Sequence, residues 1–201
     1  MPQSAEEIYE LTRARTDVPD LGFVEWPAFP WVADGSRIVA KELDPPTDVD
    51  RVRDGEGGRD CWRCDHPDEG VVWSNERWVL STDREGRGGL LALWLQTREH
   101  MDFGDMDEDL AGEWGRLVHR LHNALLALPN AGRVHLGKWG DGSAHLHTLV
   151  MVRPARLPQV IGSFAVEWDD ILPPVPEEVW QREVDEVVAV MGTRDGASGG
   201  D

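Results

Sequence analysis

Apolar positions in this chain recur with two periods, and the change from one to the other divides it into elements. Residues Ser4 to Arg15 carry a short helical stripe, Ile8 and Leu11, behind a capping pair of Ser4 and Glu7. Val71-Val72-Trp73 and Trp78-Val79-Leu80, separated by Ser74-Asn75-Glu76-Arg77, predict a hairpin. Within Gly88 to Thr97, the unbroken run Leu90 to Leu95 suits a buried central strand, with Arg98-Glu99-His100 at its exit. The strongest helical stripe follows: Leu110, Trp114, Leu117, Val118, Leu121, Leu125 and Leu128 lie on one face, with Asp105 or Asp107 to cap it and Pro129 to close it. Strands are expected at Arg133 to Leu136 and Ala144 to Val152, and a helix from about Glu177 to Met191.

Strands, a long helix and further strands predict an α+β fold, an antiparallel sheet with a long packed helix. The breaks suggest its organisation. Pro19, Pro27 and Pro30 interrupt regular structure around Trp26, Phe29 and Trp31. Asp44 to Asp60, with Pro45-Pro46 and Gly55 to Gly58, reads as a linker. An N-terminal extension is therefore expected over 1–60, the main domain with its C-terminal helix over 61–192, and a disordered Gly/Ser-rich tail over 193–201.

Composition narrows the function classes. The chain's 20 basic and 38 acidic residues give a formal net charge of −18, a field that repels a phosphate backbone, so general nucleic-acid or anionic-membrane binding is not expected. A few local donors can still hold one phosphate, which leaves a small phosphorylated ligand open. With no signal-like segment and no apolar run near membrane length, a cytoplasmic location is expected. Ten Trp residues against one Tyr and four Phe are an unusual aromatic balance, read mainly as core.

The candidate chemistry gathers around His145-Leu146-His147. On a strand, His145 and His147 would point the same way, about 7 Å apart, able to share a metal or to divide the work of nucleophile and support. A glycine-rich turn precedes them, in which Lys138, Ser143 and the amides of Gly140 to Gly142 could receive phosphate. The two cysteines, Cys61 and Cys64, have C-x-x-C spacing, and no thioredoxin-like βαβ pattern surrounds them, which favours zinc over a redox pair. Two thiolates and two imidazoles would close a tetrahedral site, with His66 a competitor to His100 and His145. His119 and His122 lie on or beside the polar face of the long helix and are read as solvated.

The order of these motifs resembles the histidine-triad superfamily. The likeness rests on Cys61-Trp62-Arg63-Cys64, Gly89 to Leu93 leading to His100, the helix Leu110 to Leu128, and Ser143-Ala144-His145-Leu146-His147, and so spans roughly Cys61 to Arg153. Trp168-Asp169-Asp170-Ile171-Leu172-Pro173-Pro174 also looks like a group of bacterial relatives of that superfamily. The resemblance implies a structural zinc on Cys61, Cys64, His100 and His145. It also implies a nucleophilic His147 that attacks the α-phosphate of a nucleotide conjugate, helped by Ser143 and by Lys138, Gly140 and Gly142. A homodimer is implied as well. This chain departs from the pattern at the third triad position, which holds Leu149, and near Leu136 and Gly137, where family hydrolases carry Asn. Sliding the register by two makes His145 the nucleophile and Ser143 and His147 its triad neighbours. Two other readings stay open: a catalytically silent zinc-stabilised binding protein, and a zinc hydrolase with both His145 and His147 on the metal.

Overall fold

The structure, a computed structural model, describes residues 4–14, 29–82 and 89–192. Trp26 and the prolines at 19 and 27 lie outside the described residues, as does the expected disordered tail. The chain forms two compact units, one of residues 15–51 and one of residues 1–14 with 52–201.

In the smaller unit, β1 (Trp31–Asp34) and β2 (Arg37–Ala40) form a two-stranded antiparallel hairpin in which Asp34 faces Arg37. Its loop is Gly35-Ser36, and Gly35 takes a positive φ of 58° that a glycine adopts without strain. Proline breaks alone do not predict this hairpin, although Asp34-Gly35-Ser36 between two apolar-containing runs is a hairpin signal.

The larger unit begins with α1 (Ala5–Ala14), where Ser4 and Glu7 exchange the expected capping hydrogen bonds. Then come a short α2 (Trp62–Asp65), the hairpin β3 (Val71–Ser74) and β4 (Trp78–Ser81), β5 (Leu91–Thr97), α3 (Glu108–Leu126), β6 (Ala131–Gly137), β7 (His147–Pro154), α4 (Phe164–Ile171) and α5 (Glu177–Gly192). Strands β3 to β7 make one antiparallel sheet in the order β3-β4-β5-β7-β6. This is the α+β architecture expected from the sequence, with the long helix capped by Asp107, whose carboxylate accepts from the Leu110 amide at 2.8 Å.

Alternation along the two central strands explains the layers. Leu91, Leu93 and Leu95 of β5 and Val150 and Val152 of β7 are buried on one face against Leu117, Leu121 and Leu125 of α3 and Val184 and Val187 of α5. Leu149 and Met151 face the other way, into a second apolar cluster with Ile8 of α1, Ala165 of α4 and Leu172. Ala92 and Trp94 on that face are only half-buried, so β5 is not the doubly buried strand its apolar run suggests. The first helix is thus an integral part of the larger unit's packing.

Candidate metal centre and the histidine beside it

Three backbone amides decide the geometry here. Ala144 donates to the Asp54 carbonyl at 2.9 Å, His145 to the Ser143 hydroxyl at 3.2 Å, and Leu146 to the Met101 carbonyl at 2.7 Å. None of these bonds belongs to a sheet ladder, so β7 begins at His147, not at Ala144. The expectation that strand alternation relates His145 to His147 is therefore corrected. His147 stands on the sheet face with Leu149 and Met151, whereas His145 lies before the strand and is fully buried.

The buried His145 ring meets the two cysteines. Its Nδ1 is 3.3 Å from Cys61 Sγ and 3.6 Å from Cys64 Sγ, and Cys64 Sγ is 3.7 Å from His100 Nδ1. The ligand atoms of all four residues lie within 4.8 Å of one another. Zinc–sulfur and zinc–nitrogen bonds of about 2.3 and 2.05 Å at tetrahedral angles require edges of roughly 3.4–3.8 Å. All three contacts are sulfur–nitrogen edges, for which these bond lengths require roughly 3.55 Å; they fall within about 0.3 Å of it, and two sulfurs with two imidazole nitrogens are a donor set zinc prefers. The residues fit the metal.

The surroundings prepare each donor. His145 Nε2 is 2.9 Å from the Thr97 carbonyl oxygen, which can only accept, so Nε2 carries the proton and Nδ1 presents its lone pair to the sulfurs. Burial pulls the His145 pKa down, with the neighbouring His100, Arg63 and His147 adding to it against the Thr97 bond, and keeps the ring neutral. Cys64 is exposed as a residue, but its sulfur faces the cluster. Desolvation, the hydrogen bond with Cys61 and the nearby acidic groups push its thiol up to about 11, a cost that a bound cation would reverse.

Two features around the centre escaped the sequence analysis. The first is the loop 53–58, assigned there to a linker. Gly55, at φ 75°, packs so closely that an added Cβ would sit 2.8 Å from His100 Cε1 and 3.1 Å from Cys61 Cβ. Asp54 accepts from the Trp62 amide through both carboxylate oxygens, at 3.2 and 3.4 Å, and so caps α2. Its own amide donates to the Gly142 carbonyl at 2.9 Å. The Gly55-x-Gly57-Gly58 spacing, with all three glycines at positive φ, is the signal that could have marked this as a built loop. The second is Arg63, buried between the cysteines, which donates to the carbonyls of His66 (3.0 Å), Pro67 (3.4 Å) and Glu69 (3.1 Å) and to Ser81 Oγ (3.2 Å) and so pins the knuckle to β4. Only its neighbours' carbonyls identify this role, and sequence does not reveal them.

The remaining expected site residues separate. His66 stacks on Trp62 at 5.0 Å with its Nδ1 3.0 Å from the Trp62 carbonyl oxygen, and it is outside the four-residue group. His119 is exposed and His122 half-buried, consistent with solvated positions on α3. Ser143 receives the His145 amide, and its hydroxyl proton stays available. Lys138 Nζ is 3.7 Å from Asp102, and the Gly140 carbonyl accepts from Arg53 at 3.3 Å. Burial pushes Asp102 up, but the Arg53 hydrogen bond, the Phe103 amide and the charges of Lys138 and Arg53 outweigh it and hold its carboxyl below the ordinary range. The glycine-rich turn is thus tied to the 53–58 loop and to Asp102.

His147 is held differently from its neighbour. Its Nδ1 is 2.7 Å from the His145 carbonyl oxygen, and Trp94 contacts its ring at a centroid distance of 5.6 Å. Because that oxygen only accepts, Nδ1 carries the proton and Nε2 offers its lone pair. The backbone of the buried histidine therefore orients the half-buried one.

No protein-family model and no curated protein matches this chain. Among solved structures it is similar to a HIT-like protein involved in cell-cycle regulation from Bartonella henselae, at 12% identity over 60% of this chain and 85% of that one, with a TM-score of 0.44. It is also similar to a hypothetical histidine triad nucleotide-binding protein from Sulfolobus tokodaii, at 16% identity over 64% and 88% of the two chains, with a TM-score of 0.45. A third is a Zn-bound histidine triad family protein from Mycobacterium smegmatis, at 13% identity over 63% and 87%, with a TM-score of 0.41.

Proposed function

We propose that this chain is a diverged histidine-triad-like protein in which Cys61, Cys64, His100 and His145 hold a structural zinc and His147 is the nucleophile toward a nucleotide phosphoester or phosphoramidate. The observation that carries this reading is the division between the two histidines. His145 turns its lone pair to the sulfurs, while its carbonyl fixes the His147 tautomer with Nε2 free. That division favours the register with His147 as nucleophile over the one shifted by two. It also favours a structural metal over a zinc hydrolase, since His147 is outside the four-residue group.

A bound zinc would supply cross-linking of the α2 knuckle, the β5 exit and the segment that leads into β7, without taking part in turnover. The chemistry falls to protein side chains. Nε2 of His147 would attack the α-phosphorus, forming a P–N bond as the leaving group departs with the bonding pair and takes up a proton. Water would then cleave the P–N bond and return the imidazole. The Ser143 hydroxyl and the amides of Gly140 and Gly142 are the groups assigned to the phosphoryl oxygens. Lys138 would have to exchange its Asp102 contact for the substrate. The expected homodimer would use edge strand β6, where Leu136 is half exposed.

One observation favours the silent binding reading. Leu149, at the third triad position, is 5% exposed and packed into the second apolar cluster, where it can neither donate nor accept. The two readings part on one experiment: incubation with adenosine and guanosine phosphoramidates, followed by mass spectrometry of acid-quenched protein. The catalytic reading expects a nucleotidyl adduct on His147, and loss of turnover by at least about a hundredfold in His147→Ala with its zinc and melting temperature unchanged. Unchanged turnover in His147→Ala would overturn the assignment. Absence of both adduct and turnover in the wild type would leave the binding reading.

A further inference from the structure

At the end of the sheet away from His147, a cavity of about 40 Å³ opens between α1, the turn from α3 to β6, the end of β7, and α5. His147 begins β7 whereas Val152, Arg153 and Pro154 end it, a separation of roughly 17–23 Å at ordinary strand rise. The walls are mostly aliphatic, with Ile8, Leu90, Leu128, Val175 and Val179 among them. Set into them is the carboxyl of Glu183, a residue 9% exposed with no hydrogen-bond partner among the described residues. Arg153, the other charged residue in the wall, donates to the Pro154 carbonyl at 3.0 Å and not to Glu183.

A carboxylate that makes no hydrogen bond to the protein and is set among aliphatic side chains is costly to ionise. We propose that this cavity binds a small primary alkylammonium, whose ammonium pairs with the Glu183 carboxylate while its short stem lies against the aliphatic walls. The volume suits about three or four non-hydrogen atoms, given some 10–15 Å³ per water-sized centre. The net charge of −18 would raise the local concentration of cations of this kind. Burial pushes the Glu183 carboxyl up to about 7, with Arg182 opposing and Glu186 adding to it, so above neutrality it ionises in surroundings that favour a bound cation. This inference does not rest on the proposed catalytic role of His147.

The test is a titration of the full-length ¹⁵N-labelled protein with propylammonium chloride at pH 8, compared with propan-1-ol. Saturable amide shifts are expected in residues 128–131, 152–154 and 175–183, with affinity weakened by roughly tenfold or more in Glu183→Gln and for the neutral alcohol. Val179→Phe, which adds bulk at a half-buried lining position, should lose binding as well while leaving the carboxyl in place. No saturable shift in the wild type, or equal affinity for Glu183→Gln, Val179→Phe or propan-1-ol, would overturn the proposal.

Discussion

The division of labour between His145 and His147 depends on single atoms. One carbonyl, that of Thr97, sets the tautomer of the first ring, and the carbonyl of His145 sets that of the second. Sequence supplied the residue types, but not the reason they separate, because the spacing H-x-H suggested a shared strand face. Three amides drawn out of the ladder by Asp54, Ser143 and Met101 are tertiary facts that no local pattern encodes. Gly55 is the residue whose role is most sharply testable. Alanine there must take φ 75° and place a methyl carbon 2.8 Å from His100 Cε1. Gly55→Ala is expected to destabilise the protein by roughly 1–3 kcal/mol and to weaken zinc retention, measured by denaturant unfolding and by competition with a chromogenic chelator. His66→Ala, by contrast, should leave zinc retention unchanged.

At the scale of elements, periodicity carried the reading furthest where packing is one-sided. The stripe from Leu110 to Leu125 became α3, whose buried face meets the alternating leucines of β5. The same logic failed at α4. Val160 to Ile171 offers no clean period, and the helix Phe164–Ile171 is fixed by contacts from outside: the Gly89 amide donates to the Asp169 carbonyl at 2.9 Å and the Leu90 amide to the Asp169 side chain at 2.6 Å. For α3, local chemistry and fold agree at the cap. Asp107→Ala removes the acceptor for the Leu110 amide and should cost about 1 kcal/mol in thermal or chemical unfolding, with no effect on bound zinc. A larger loss would mean that Asp107 also supports a tertiary contact.

At the scale of the whole molecule, the acidic composition argues against polyanionic partners but identifies none. Among the described residues no helix is long and apolar enough to cross a membrane. The two-unit division was not legible from the proline and glycine breaks, because α1 packs its Ile8 with Leu149 and Met151 of the larger unit. One buried acid should leave a global signature. Burial raises the Glu183 pKa from 4.5 to about 7, with Glu186 adding to it and Arg182 opposing it. The folded state therefore keeps a proton that the unfolded chain has released between these values, and stability falls as pH rises through that window. Comparing wild type with Glu183→Gln by urea midpoints at pH 5 and pH 8 should isolate the effect. The wild type is expected to lose on the order of 2 kcal/mol relative to the variant across that range, after allowance for screening at a partly accessible carboxyl. A parallel pH dependence in both proteins would place the titration elsewhere.

The measurement closest to the central claim is zinc X-ray absorption on the purified protein and on its His147→Ala variant. The account predicts one zinc per chain with two sulfurs near 2.3 Å and two nitrogens near 2.05 Å, and the same spectrum in the variant, at roughly the usual bond lengths. A shell containing oxygen, a third nitrogen lost in His147→Ala, or no bound zinc would contradict it.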